Sequence, residues 1–272
     1  MVYRGRNGQN YKTIEPALGQ GGEGAVYGIE GMPDYVLKVF NSQKRTETRH
    51  RKILAMIKTP MPADAMKQVT WPVDVVYDQN QFVGYVMPSV KNCEALNVMY
   101  SDKYNLTLAE RIGIAKNLCA AINAVHKAGQ VCGDLNPNNI KVNPKTAIVT
   151  LIDTDSYHIT EPGTSRTFRC EVGLPEYLAK EVQDKMQNGM TLANSPLPTF
   201  SKNADLFALA VHIFALLMNG CHPYACAKVS NGAVNIGSLS RSQPSVVCPQ
   251  PIANIQNGFF SICGSKVRTY DT

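Results

Sequence analysis

The sequence predicts an α+β fold in which a small β-rich half precedes a larger, mainly helical half. Short β-like runs broken by Gly, Pro and Asn crowd into residues 10–90. After residue 106 the apolar residues recur at helical spacing. The glycine cluster and the isolated carboxylates fall on turns between these elements, so a cleft between the halves is the default ligand site.

In chain order, β-like runs cover 25–27, 35–40, 73–77 and 82–87. A helix is expected over 42–58, with Ser42 as its cap and Ile53, Leu54 and Ile57 as its apolar stripe. Residues 91–106 are polar and read as a connector. Thr107-Leu-Ala-Glu110 has the spacing of a capping box. Leu108, Ile112, Ala115, Leu118 and Ile122 follow on one predicted face, and Gly129 stands where that helix stops. Strands at 140–142 and 148–152 flank an Asn143-Pro144 turn. A loop-rich stretch then leads to an apolar helix over 206–218, too short for a membrane span and carrying His212.

With 272 residues, 44% hydrophobic and 18% charged, the chain can bury a substantial core. Its net charge of +6 suits an anionic ligand, and no basic block interleaved with aromatics suggests a nucleic-acid groove. The eight cysteines form no C-x-x-C pair, which points to a reducing compartment. The N-terminus has no apolar signal core, so a cytoplasmic protein without a membrane partner is expected.

Four stretches carry chemistry. Gly19-x-Gly21-x-x-Gly24-x-Val26 lies between β-like runs. It is either a flexible turn or a loop whose bare backbone approaches a polyphosphate. Lys38 sits in a valine-rich strand, where it either snorkels at an edge or meets an anion. Val131-Cys-Gly-Asp134-Leu-Asn-Pro-Asn-Asn139 and Leu151-Ile-Asp153-Thr-Asp155 place carboxylates and an amide on loops, a donor set suited to magnesium shared with phosphate.

Taken together and in order, these motifs resemble those of eukaryotic-like (Hanks-type) serine/threonine protein kinases. Gly173-Leu-Pro-Glu-Tyr-Leu-Ala-Lys-Glu181 resembles the family's segment ending in Ala-Pro-Glu, and Asp205 opens a stretch like its large central helix. The resemblance implies a bilobal fold, with an N-lobe at 1–88 and a C-lobe at 89–272 that stops before the family's last helices, as in a truncated piece or a shortened lobe. It implies ATP- and magnesium-dependent (or manganese-dependent) phosphoryl transfer to a protein substrate, with autophosphorylation. Lys38 would hold the α- and β-phosphates, Asp134 would accept the hydroxyl proton, and Asn139 and Asp153 would hold the metal. Gly19, Gly21, Gly24 and Val26 would line ATP, with Met87 at the back of the adenine pocket and 88–90 as the hinge. Glu47 would pair with Lys38 as the only acidic residue from 41 to 63. The compact small lobe points to a bacterial member.

The chain also departs from the family. Cys132 and Gly133 stand in place of His-Arg, so activation-loop phosphorylation is not expected to be the main switch. Asn136 replaces a lysine and Leu174 a threonine near the expected acceptor hydroxyl. Thr154 and Asp155 replace Phe-Gly, making Asp155 either a hydrogen-bonding group or an added metal ligand. Thr164, Ser165 and Thr167 are either autophosphorylation sites or part of a polar exposed loop. Two further readings stay open: a pseudokinase scaffold that binds nucleotide and a regulatory protein partner, and a small-molecule kinase on the same fold.

Overall fold

The computed structural model describes residues 1–100, 103–186, 190–230 and 233–238. Its first half is a closed antiparallel barrel made of Val2–Gly5 (β1), Asn10–Gln20 (β2), Gly24–Ile29 (β3), Tyr35–Phe40 (β4), Asp74–Asp78 (β5) and Gln81–Pro88 (β6), in the order β1-β2-β3-β4-β6-β5. β1 pairs with both β2 and β5, so it closes the barrel and leaves no open edge. The sequence pattern does not announce β1 or most of β2. Only Tyr3, Tyr11 and Thr13 supply inward side chains there, and much of β2 is exposed.

Alternation along β4 sets up the rest. Leu37 and Val39 point into the barrel with Tyr3, Tyr11, Ile29, Val76, Val83 and Val86. Val36 and Phe40 face the other way, into the main apolar cluster, and by strand period Lys38 shares their face. That cluster runs without a break through Ile53 and Met56 to Leu118, Ile122, Leu151 and Leu209. The β-rich and helical halves are therefore joined by a common core.

The helix Glu47–Lys58 (α1) packs beside the barrel. Its cap is Thr46, whose hydroxyl accepts from Arg49 N (3.2 Å), while Ser42–Lys44 is a separate 3-10 turn. The expected start at Ser42 is thus corrected by four residues. After Glu94–Ala95 (β7), the helix Leu108–Lys127 (α2) opens with the expected capping box, and Gly129 takes a positive φ of 76° past its end. Its buried face is rotated from the predicted one. Ile114, Ala115, Leu118, Ala121, Ile122 and Val125 are inside, whereas Leu108 and Ile112 are exposed.

Ile140–Val142 (β8) and Val149–Leu151 (β9) form the expected hairpin, with β7 on its edge. Ile159–Thr160 (β10) and Thr167–Phe168 (β11) pair beyond it, followed by the short helix Lys180–Lys185 (α3). The helix Lys202–Leu217 (α4) is capped by Ser201 and packs on α2. Ala225–Ser230 (β12) and Ala233–Ser238 (β13) make a last hairpin. The expectation of a shortened helical end falls on residues outside those described. Among the described residues, no helix is long and apolar enough to cross a membrane.

Candidate active site

The β2–β3 hairpin, β4, β6 and the loops before and after β8–β9 meet around Lys38. This residue is only 7% exposed, so its ammonium must find a counter-charge. Lys38 Nζ donates to Asp153 Oδ1 and Asp155 Oδ1, both at 2.7 Å, and Glu23 Oε2 lies at 3.9 Å. Burial alone would lower the lysine's pKa, but the charges of Asp155 and Asp153 outweigh it and raise it.

Register explains which side chains join it. Val26 on β3 and Tyr85 on β6 are the cross-strand neighbours of Lys38, so the three share one row and one face. Tyr85, fully buried, donates its hydroxyl to Asp155 Oδ1 at 2.7 Å. Burial and then the Asp155 charge push its pKa well above the usual tyrosine value. Met87 is buried on β6 opposite Val36.

Asp153 and Asp155 leave β9 on a single 3-10 turn. Asp153 takes the left-handed conformation (φ 56°, ψ 38°), a strained setting for a non-glycine residue. Thr154 between them is buried, and its hydroxyl donates to Thr70 O at 2.8 Å, which pins the turn to the strand-like segment before β5. The two carboxylates shift in opposite directions. Burial raises the pKa of Asp153 despite Lys38. Burial would also raise Asp155, but Lys38, followed by the bonds from Lys38 and Tyr85, holds it below the usual carboxylate range.

Asp134 lies on the loop after α2 and is 7% exposed. Its Oδ2 accepts from Asn136 Nδ2 (2.9 Å) and Asn139 Nδ2 (3.0 Å). Burial, with a contribution from Asp153, raises its pKa against the pull of these two amides. The loop is anchored from α4: Asp205 accepts from Cys132 N, Gly133 N and His126 Nε2, each at 2.8 Å. Gly133 has φ 81°, and a Cβ there would meet Cys170 Cβ at 2.9 Å, so the backbone excludes the arginine the family places there.

The glycines divide by role. A Cβ on Gly24 would collide with Val39 O, so that glycine serves the β3–β4 contact. A Cβ on Gly19 or Gly21 would meet nothing within 4 Å, and Gly21 and Gly24 close the hairpin with mutual backbone bonds. Glu23 at the hairpin tip reaches back under it, to Arg49 Nη2 at 2.9 Å and toward Lys38.

The expected Lys38–Glu47 pair is not formed, and that assignment is corrected. Because α1 starts at residue 47, Glu47 sits on its first exposed turn, where it bonds Arg51 Nε at 2.7 Å and lies near His50. It lines a separate cavity of about 550 Å³, with Ser42, Arg45, His50, Tyr77 and Phe82, that holds none of the residues around Lys38. The inward polar residue of α1 is Lys52, whose pKa burial lowers to about 8 and whose ammonium reaches Arg169 O at 3.4 Å. Sequence reasoning missed Glu23, Tyr85 and the Asn136–Asp134 bond. Of these, Tyr85 was detectable, because strand alternation puts it on the Lys38 face.

The donors suit a hard cation. Glu23, Asp153 and Asp155 each place a carboxylate oxygen within 4.8 Å of the others. Asn139 spends its NH2 on Asp134, which leaves its amide oxygen as the group it can offer a cation.

Comparison with known proteins identifies the family. The family described as "Protein kinase domain" matches residues 12–246. Protein kinase YegI of Escherichia coli (strain K12) is 30% identical over 236 residues, covering 82% of this chain and 34% of YegI. Ribosomal protein S6 kinase 2 alpha of Gallus gallus is 23% identical over 195 residues, covering 71% of this chain and 23% of that protein. The chain therefore spans about a third or less of the length of these relatives. With the family matched over most of its length and YegI 30% identical over 82% of it, the chain belongs to the protein kinase family, as a divergent Hanks-type member.

Proposed function

We propose that this chain transfers the γ-phosphoryl group of ATP, with magnesium, to serine or threonine hydroxyls of proteins, its own among them. In this reading the site lies between an N-lobe at 1–88 and a C-lobe that starts at 89. The observation that carries the reading is Lys38, brought from β4 to within 2.7 Å of Asp153 on the loop that follows β9. In this reading Asp134 orients the acceptor hydroxyl and takes its proton, with Asn136 and Asn139 fixing its rotamer. Lys38 leaves its carboxylate partners in part to meet the phosphates, and Gly19 and Gly21 allow the hairpin backbone to close over them. Asn139 and Asp153 would hold the magnesium, which when bound would supply positive charge against the phosphates. Thr164 and Ser165, exposed between β10 and β11, are the acceptors for self-labelling.

The test is transfer of radiolabelled γ-phosphate to the chain and to a basic protein, with Asp134→Asn alongside. Removing the base should cut the rate by about 10²–10⁴-fold. Equal labelling by wild type and Asp134→Asn would refute the assignment. A second reading, a nucleotide-binding scaffold, is favoured by Glu23, which places a third carboxylate near Lys38 where phosphate would sit. It predicts no label, together with a magnesium-dependent thermal shift on adding ATP.

A further inference from the structure

We propose that Asp155, backed by Tyr85, is the positioning residue for Lys38, so that the lysine is set by the metal-binding loop and not by helix α1. The inference rests on the proposed function for its catalytic consequence, but its geometric basis is independent of it. Asp155 is 3% exposed and shares one oxygen, Oδ1, between Lys38 Nζ and the Tyr85 hydroxyl, each at 2.7 Å. Tyr85 and Lys38 are direct cross-strand partners, so lysine, tyrosine and carboxylate form a closed triangle across β4 and β6. Thr154, locked to Thr70 O, keeps the turn that carries Asp155 in place.

Helix α1 has nothing to offer in exchange. Its sole acid, Glu47, is on the first turn with its side chain 66% exposed and engaged by Arg51. The buried polar group on α1 is Lys52, a cation that would repel Lys38. Asp153 also touches Lys38, but its side chain is 35% exposed and it is the residue assigned to the metal. Once Asp153 turns to a cation, Asp155 remains as the buried counter-charge of the lysine. A move of α1 would then leave the lysine where it is, unlike a site in which the helix supplies the acid.

Three variants separate this from a helix-borne partner: Asp155→Asn, Tyr85→Phe and Glu47→Gln. Two readouts are taken on each: kcat and KM for ATP, and the rate at which a small acylating reagent modifies Lys38, followed by peptide mass spectrometry. Losing the buried oxygen that holds Nζ leaves the amine free to leave its place between β4 and the turn after β9, so Asp155→Asn should raise Lys38 acylation severalfold and lower kcat/KM for ATP at least tenfold. Tyr85→Phe, which keeps the ring and removes only the hydroxyl, should move both readouts the same way by a smaller factor, and it serves if Asp155→Asn does not fold. Glu47→Gln should stay within twofold of wild type on both. An active enzyme whose Lys38 acylation ignores Asp155 and Tyr85, or a Glu47→Gln loss equal to that of Asp155→Asn, would overturn the proposal. A wild type that transfers no phosphate while its Lys38 acylation still responds to Asp155 would count against the proposed function and support the pairing.

Discussion

Histidine 212 shows how far a residue's surroundings can set its chemistry. It is fully buried on α4, its Nε2 lies 2.7 Å from Leu135 O, and Nδ1 finds no partner among the described residues. Burial lowers its pKa to about 4, and His158, also buried, is lowered to about 4. The unfolded value is about 6.5, so between pH ~4 and ~6.5 the unfolded chain binds more protons than the folded one. Stability contributed by the neutral histidines is complete above that window and is lost as pH falls through it, by up to about 3 kcal/mol for His212. Urea unfolding from pH 7 to pH 4.5 should show the loss, and His212→Asn should flatten the slope. A slope that His212→Asn leaves unchanged would assign the titration elsewhere.

At the scale of elements, the informative link is between α4 and the loop that carries Asp134. Asp205 sits in the first turn of α4 and is buried. Replacing it with alanine leaves the buried Cys132 and Gly133 N–H groups without an acceptor, at about 1–3 kcal/mol each. Asp205→Ala should therefore lower the urea midpoint substantially and reduce phosphoryl transfer, because the loop it holds positions Asp134. Unchanged stability would mean that other groups take over those two donors. The capping box of α2 was legible because its two residues and their spacing form a local code. The start of α1 was less legible: Ser42 was expected as the cap, whereas Ser42–Lys44 forms a separate 3-10 turn and Thr46 caps the helix.

For the whole molecule, the closing strand β1 matters more than its four residues suggest. It pairs Val2–Arg4 with β2 and Arg4–Gly5 with β5, and Tyr3 fills the barrel. Deleting residues 1–5 should open two strand edges, lower the unfolding temperature and increase association at high concentration. Light scattering together with thermal unfolding would check both effects, and a monomeric variant of unchanged stability would show that closure contributes nothing. The continuous core through Phe40, Ile53, Leu118 and Leu209 adds a second expectation, that the two halves unfold in one transition.

By itself the sequence determined the α+β order, the capping box and the β8–β9 hairpin, because each is encoded by residue type at short spacing, and it singled out Lys38, Asp134, Asn139 and Asp153 as the site proposed above. Tertiary structure alone decided the partner of Lys38. Glu47 is nine residues from that lysine and Asp155 is 117 residues away, yet the barrel register and the pinned turn after β9 bring Asp155 into contact while the first turn of α1 holds Glu47 outward. It also decided that Gly24 and Gly133 are required by close backbone packing and that β1 closes the barrel. These are consequences of which surfaces meet, and contacts between distant segments leave no local pattern in a single chain.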